Sequence, residues 1–105
     1  LLQYFLQNAT PHVQQLATMR AFYEGLTERQ KDVATLVADG LTNQEIADVL
    51  YIEPKVVAEH LTTVFAKFQQ SIRYTPDRHG TRYRLIHGLT LLFLQHPELL
   101  LHRSR

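Results

Sequence analysis

Two helix-start signals close together in the middle of the chain limit what it can fold into. Residues 27–30 (Thr-Glu-Arg-Gln) and 42–45 (Thr-Asn-Gln-Glu) each have the spacing of a capping box, in which two side chains satisfy backbone amides at a helix start. Gly40, between them, can end the first helix in a left-handed turn, and Pro54 can begin a third helix. This pattern predicts a helix-turn-helix over residues 26–68.

Apolar residues recur at helical spacing in each predicted helix. After Pro54 they stand at i, i+4, i+7 and i+11, one buried stripe formed by Val57, Leu61, Val64 and Phe68. An N-terminal helix is expected over residues 10–25, and a last helix over about 82–95, capped by Thr81. No alternating strand pattern is visible. The predicted fold class is all-α, a helix-turn-helix core with extra N-terminal and C-terminal helices. The predicted segments are an N-terminal extension, the core, a basic loop and a C-terminal helix with its tail, over residues 1–25, 26–68, 69–81 and 82–105.

Length and composition exclude several classes of protein. With 105 residues, 45% of them apolar, the chain suffices for one domain with a single core. It has no cysteine, which excludes disulfides and thiolate metal sites and fits a cytoplasmic protein. The longest strongly apolar stretch, residues 89–94, is far short of a membrane span. Because the chain begins at Leu1 and not at methionine, we expect it to be a piece of a longer protein.

No constellation typical of an enzyme is visible in the sequence. It shows no nucleophile–base arrangement, glycine-rich phosphate loop or paired carboxylates. Its six histidines lack the spacing of a metal site, and His60 is expected to pack at the edge of the core. We therefore predict no catalytic residue, no metal and no cofactor.

The formal net charge of +1 conceals an uneven distribution. Residues 1–70 carry five Lys/Arg and eight Asp/Glu, a net −3, whereas residues 71–105 carry six arginines against two acids, a net +4. A nucleic-acid binder normally carries a basic stripe on its contacting face, but here the basic residues follow the core. The arginines within residues 73–84 fit a solvated loop, an arm that contacts phosphates, or a surface for an acidic protein partner.

The core contains a specific run of residues, Gly-Leu-Thr-Asn-Gln-Glu-Ile-Ala at 40–47, followed by a turn ending in Ile52. With the other matching positions, this run resembles the DNA-binding domain of LuxR/GerE-type bacterial transcription regulators. Those positions are Leu26, Thr27, Arg29, Val33, Leu36, Leu50, Val57, His60 and Lys67. The resemblance implies a tetrahelical domain that binds double-stranded DNA, with its second helix bracing the third in the major groove.

The resemblance also implies which residues contact DNA. The first two helices of such domains hold phosphates at their N-termini, and the third offers its outward side chains to the bases. With Lys67 and three arginines from the basic segment included, the predicted DNA-contacting residues are Thr27, Asn43, Gln44, Lys55, Val56, Ala58, Glu59, Thr62, Thr63, Lys67, Arg73, Arg78 and Arg82.

The third predicted helix departs from the family pattern, which is serine, two variable residues, threonine, valine, lysine, a variable residue and histidine. Glu53 replaces the serine, Val56 the threonine and Ala58 the lysine that faces DNA. Glu59 then lies where a base edge would be read. A lost phosphate contact removes about one unit of counterion release, and a lost base contact about 1–3 kcal/mol, so we expect weak binding by a monomer.

Two functions therefore stand side by side. The first is the DNA-binding domain of a transcription regulator that acts as a dimer, with residues 54–68 in the major groove. The second is a helix-turn-helix used to bind a protein partner, a regulator or the transcription machinery, with weak or no DNA binding. The apolar last helix is expected to pair two subunits, alone or together with residues 1–24, unless the N-terminal helix covers it within one chain.

Overall fold

The computed structural model describes residues 16–72 and 80–103, which form helices joined by short turns. These ranges contain no strand, which confirms the all-α prediction. The described helices are, in chain order, α1 (16–24), α2 (Glu28–Ala38), α3 (Asn43–Leu50), α4 (Pro54–Ile72), α5 (Gly80–Gln95) and a 3-10 helix (Pro97–Arg103). None of the helices in these ranges has the length and apolar character needed to cross a membrane. The predicted helix start at residue 10 lies outside the described residues.

Both predicted capping boxes are present. The Thr27 hydroxyl accepts from the Gln30 amide at 3.2 Å, and Gln30 Oε1 accepts from the Thr27 amide at 3.0 Å. At α3 the Thr42 hydroxyl accepts from the Glu45 amide at 3.2 Å, and Glu45 Oε1 accepts from the Thr42 amide at 2.8 Å. These bonds join residues three apart, so the sequence alone locates the starts of α2 and α3.

Left-handed residues shape both turns of the helix-turn-helix. Gly40, with φ of +87°, follows α2 as predicted. Tyr51 ends α3 with φ of 58°, a conformation that costs a non-glycine residue about 1–3 kcal/mol. The next residue holds this turn, because the Ile52 amide donates to the Ala47 carbonyl at 3.1 Å and its side chain packs against the core.

The core lies on the side of α4 that carries its predicted apolar stripe, and all four residues of the stripe are buried. Phe22 of α1 packs edge-on against Phe68 of α4, with ring centroids 5.4 Å apart. Tyr23 of α1 packs against Phe93 of α5 in the same way, at 5.2 Å. Because α1, α2, α3 and α5 occupy the buried side, the opposite side of α4 faces solvent.

The connection between α4 and α5 is shorter than the predicted loop over residues 69–81. α4 continues to Ile72 and α5 begins at Gly80, so Thr81 lies inside the helix and is not its cap. The buried Thr81 hydroxyl accepts from Gln69 Nε2 at 3.5 Å, which joins the two helices. Gln69, Gln70 and Ser71 suggested a loop because they are polar, but none of them is a glycine or proline, so α4 continues through them to Ile72.

Candidate nucleic-acid interface

The outward side of α4, opposite its buried stripe, is the surface on which most of the predicted base-reading residues lie. Its exposed members are Lys55, Ala58, Glu59, Thr62 and Thr63, which we call the α4 face. Helical periodicity places these residues on one side of the helix. Val56, also predicted to contact DNA, is half-buried at the edge of this face.

The α4 face is nearly neutral and carries short side chains. The Thr62 hydroxyl donates to the Ala58 carbonyl at 3.0 Å, and the Thr63 hydroxyl reaches the Glu59 carbonyl at 3.5 Å. Within the described ranges no ion pair engages Lys55 or Glu59. Such a surface can approach a groove closely and contact thymine methyl groups, but it offers little attraction to phosphate.

Lys67 does not join the α4 face, although it was predicted to contact DNA. Its Nζ donates to Gln30 Oε1 at 3.0 Å and lies 3.5 Å from the Gly25 carbonyl. The side chain is half-buried and turned toward the α1–α2 turn. Lys67 thus ties α4 to the capping box of α2, a contact across 37 residues that no local sequence signal could indicate.

The three residues predicted to contact phosphates at the starts of α2 and α3 differ in exposure and in their hydrogen-bond partners. Thr27 is exposed, but its hydroxyl and amide are both used in the capping box. Gln44 is exposed and donates to Asp48 at 3.0 Å. Asn43, the first residue of α3, is half-buried and contacts α5.

An acidic group lies in the first turn of α3, beside these residues. The Thr42 amide and hydroxyl, which bond to the Glu45 carboxylate, hold the pKa of that carboxyl below its ordinary value of 4.5. Glu45 is therefore an anion at neutral pH. Its charge opposes a phosphate approaching the start of α3, which reduces the electrostatic attraction there.

Arg82 and Asn43, two of the predicted DNA contacts, are bound to each other. Arg82 Nη1 donates to Asn43 Oδ1 at 3.2 Å, and Nη2 donates to the Leu41 carbonyl at 3.1 Å. The half-buried guanidinium thereby joins the start of α5 to the α2–α3 turn. These groups line an open depression of about 360 Å³, together with Gly40, Thr42 and Ile86.

The other predicted DNA-contacting arginines belong to the basic segment over residues 73–84. Arg73 and Arg78 lie outside the described residues. Arg84, in the same basic segment, is exposed on α5. The basic arm therefore stays a prediction from sequence.

A second exposed surface runs along α5 on the side away from the core. Tyr83 and His87 stack with ring centroids 6.4 Å apart, and Leu91 and Leu94 continue the same side of the helix. Tyr83 is 72% exposed and Leu94 is 71% exposed. We call these four residues the α5 ridge. The opposite side of α5 is buried, because α1 and the core cover Leu85, Leu89 and Leu92.

No metal site is built from the described ranges, where no group of three His, Cys, Asp or Glu could hold an ion. Buried side-chain nitrogen and oxygen atoms in these ranges all have hydrogen-bond partners. The main exposed surfaces among the described residues are the α4 face, the starts of α2 and α3 and the α5 ridge.

Comparison with known proteins adds to this geometry. Residues 24–73 match the family model of bacterial regulatory proteins of the luxR family. The chain is 38% identical over 63 residues to the uncharacterized transcriptional regulatory protein YhcZ of Bacillus subtilis, covering 60% of this chain and 29% of that protein. It is 32% identical over 80 residues to the transcriptional regulatory protein LiaR of Bacillus subtilis, covering 76% and 33%.

A third relative is the response regulator protein VraR of Staphylococcus aureus, 34% identical over 64 residues, covering 61% of this chain and 31% of VraR. The chain spans about a third of the length of these curated relatives. No solved structure matches it significantly.

Proposed function

We propose that this chain, whose residues 24–73 match the luxR family model, is the DNA-binding part of a bacterial transcription regulator that acts as a dimer. The observation that carries the proposal is the α4 face. It consists of exposed, short or polar side chains on a rigid helix whose opposite side is buried. A helix of this kind, braced by a preceding short helix, can enter the major groove.

In the proposed complex, the N-terminal half of α4 lies in the major groove. Lys55 supplies a cation near the start of the helix, and Thr62 and Thr63 supply hydroxyls that can accept or donate toward bases or phosphates. Glu59 can accept from a cytosine amine. The starts of α2 and α3, with Thr27, Asn43 and Gln44, approach the phosphates on either side, and the basic arm of Arg73 and Arg78 adds positive charge.

Weak attraction by one subunit is the reason for proposing a dimer. The α4 face carries Lys55 and Glu59, whose charges cancel, and Lys67 is engaged inside the fold. One domain then neutralises few phosphates, and its affinity is low at physiological salt. Two domains bound to half-sites about 34 Å apart would combine their contacts on one duplex.

The α5 ridge is the proposed contact between the two subunits. It combines an aromatic stack with two exposed leucines on one side of a helix. Packing these side chains against their copies in a second subunit would remove apolar surface from water, which stabilises the dimer by about 25 cal/mol per Å² buried. In this arrangement each α5 still packs its inner side on its own domain.

Fluorescence-anisotropy titration against a mixed pool of genomic duplex fragments tests the proposed function. We expect binding that weakens steeply as salt is raised, and enrichment of a two-fold-related site from the bound fragments. If no duplex binds even at low salt, DNA recognition is contradicted, and the α4 face is then better explained as a protein-binding surface.

A further inference from the structure

Arg82 has the geometry of a residue that holds another side chain in place. Its guanidinium uses both terminal nitrogens at once, on Asn43 Oδ1 at 3.2 Å and on the Leu41 carbonyl at 3.1 Å. These acceptors belong to the α2–α3 turn and the first residue of α3, whereas Arg82 belongs to the first turn of α5. A planar, two-pronged donor fixes the relative position of two acceptors in a way that a single ammonium cannot.

This contact determines which end of the Asn43 amide is available to a ligand. Arginine has only donors, so it is the carbonyl oxygen of Asn43 that must face it. The Nδ2 end, which carries two donor hydrogens, is directed away from Arg82, and no described residue accepts from it. A phosphate oxygen is an acceptor and would meet donor hydrogens at this end.

The surroundings allow a phosphate to reach Asn43. The residue is half-buried at the edge of the open depression that Arg82 and Ile86 of α5 share with the α2–α3 turn. Behind Arg82, α5 is anchored by Leu85 and Leu89, which have no exposed surface. Arg82 is thus a fixed point on a firmly packed helix.

We propose that Arg82 is a positioning residue for DNA binding, which orients the Asn43 amide toward a phosphate and does not itself bind the phosphate. The inference rests on the proposed function and refines the direct contact that the sequence predicted for Arg82. It also couples α5, the helix that carries the α5 ridge, to a phosphate contact at the start of α3.

Four proteins test this proposal: the wild type, Arg82→Lys, Asn43→Ala and the double variant, each titrated with the same enriched duplex by fluorescence anisotropy. Arg82→Lys keeps the charge but cannot bridge both acceptors. We expect it to lose about fivefold to tenfold in affinity, the scale of one hydrogen bond, with an unchanged salt slope. In the Asn43→Ala background, Arg82→Lys should lower the affinity for the duplex by less than about twofold, because the side chain that Arg82 positions is absent.

Two further measurements, on Arg82→Gln and by amide hydrogen exchange, distinguish a positioning role of Arg82 from direct phosphate binding. If Arg82 binds phosphate directly, Arg82→Lys binds DNA nearly as well as the wild type, and Arg82→Gln lowers the salt slope by about 0.9. That result would overturn the proposal. Additive effects of Arg82→Lys and Asn43→Ala on the affinity for DNA would also overturn it. Without DNA, Arg82→Lys should raise amide exchange in residues 40–43, and unchanged exchange there would also overturn it. If the wild type binds no duplex, the proposed function itself fails, whereas wild-type binding with additive variants removes only the role of Arg82.

Discussion

Single residues determine how much electrostatic attraction this domain can offer to DNA. Within α4 as described, Lys55 is the only exposed cation, because Lys67 is turned toward Gln30. Glu59 on α4 and Glu45 on α3 add negative charge near the proposed contact. In the proposed complex the affinity for DNA therefore depends on a small number of polar contacts, and the exchange of one side chain should change it measurably.

The capping box of α3 gives a prediction for Glu45→Gln. Because the folded state lowers the pKa of Glu45 below 4.5, the carboxylate contributes stability above that value and loses it as the pH falls through the lowered pKa. Glutamine can keep the box, as Gln30 does at α2, but does not titrate. We expect wild type to lose more stability than Glu45→Gln between about pH 5 and pH 3, measured by urea unfolding.

Glu59→Gln is the matched control, since it removes an exposed carboxylate that lies outside any capping box. Parallel pH profiles for the wild type and Glu45→Gln would show that the box does not depend on the charge of Glu45.

The sequence was most informative about individual helices, their starts and their buried sides. The starts of α2 and α3 and the buried stripe of α4 depend on residues three to eleven positions apart, and they were predicted correctly. The partners of Lys67 and Arg82 were not, because they lie 37 to 41 residues away along the chain. Those contacts exist only after the helices have packed, so no local pattern announces them.

The helices α1 and α5 pack closely at Gly88, and this crossing gives a prediction at the scale of elements. A Cβ placed on Gly88 would lie 2.9 Å from Met19 Sδ, so a larger residue there must move the Met19 side chain within the core. We expect Gly88→Leu to be about 1–3 kcal/mol less stable in urea unfolding than Thr90→Leu, which puts the same side chain on an exposed position of α5. Equal stability of the two variants would mean that the crossing opens without cost.

At the scale of the whole molecule, α5 joins the proposed DNA-binding surface to the proposed pairing surface. Its inner side completes the core, Arg82 at its start contacts Asn43, and the α5 ridge faces solvent. The sequence predicted an apolar last helix available for pairing. It did not indicate which side would be covered, since leucines occur around much of the helix.

The proposed dimer leads to a prediction for Leu94→Glu. Leu94 is 71% exposed, so the change should leave the unfolding midpoint of the monomer unaltered while moving sedimentation from dimer to monomer. Val49→Glu is the control, because Val49 is a partly exposed apolar residue on α3, outside the ridge. If both variants sediment like the wild type, the subunits do not pair through the α5 ridge.

The measurement that tests the account most directly compares the salt dependence of DNA affinity for four proteins: the wild type, Lys55→Gln, Ala58→Lys and Arg20→Gln. Arg20 is a matched cation on α1, where it binds Glu24 and His96. We predict that Lys55→Gln lowers the salt slope by about 0.9 for each bound subunit, that Ala58→Lys raises it by a similar amount, and that Arg20→Gln leaves it unchanged. Four identical slopes, or an equal loss for Arg20→Gln and Lys55→Gln, would contradict DNA recognition by the α4 face.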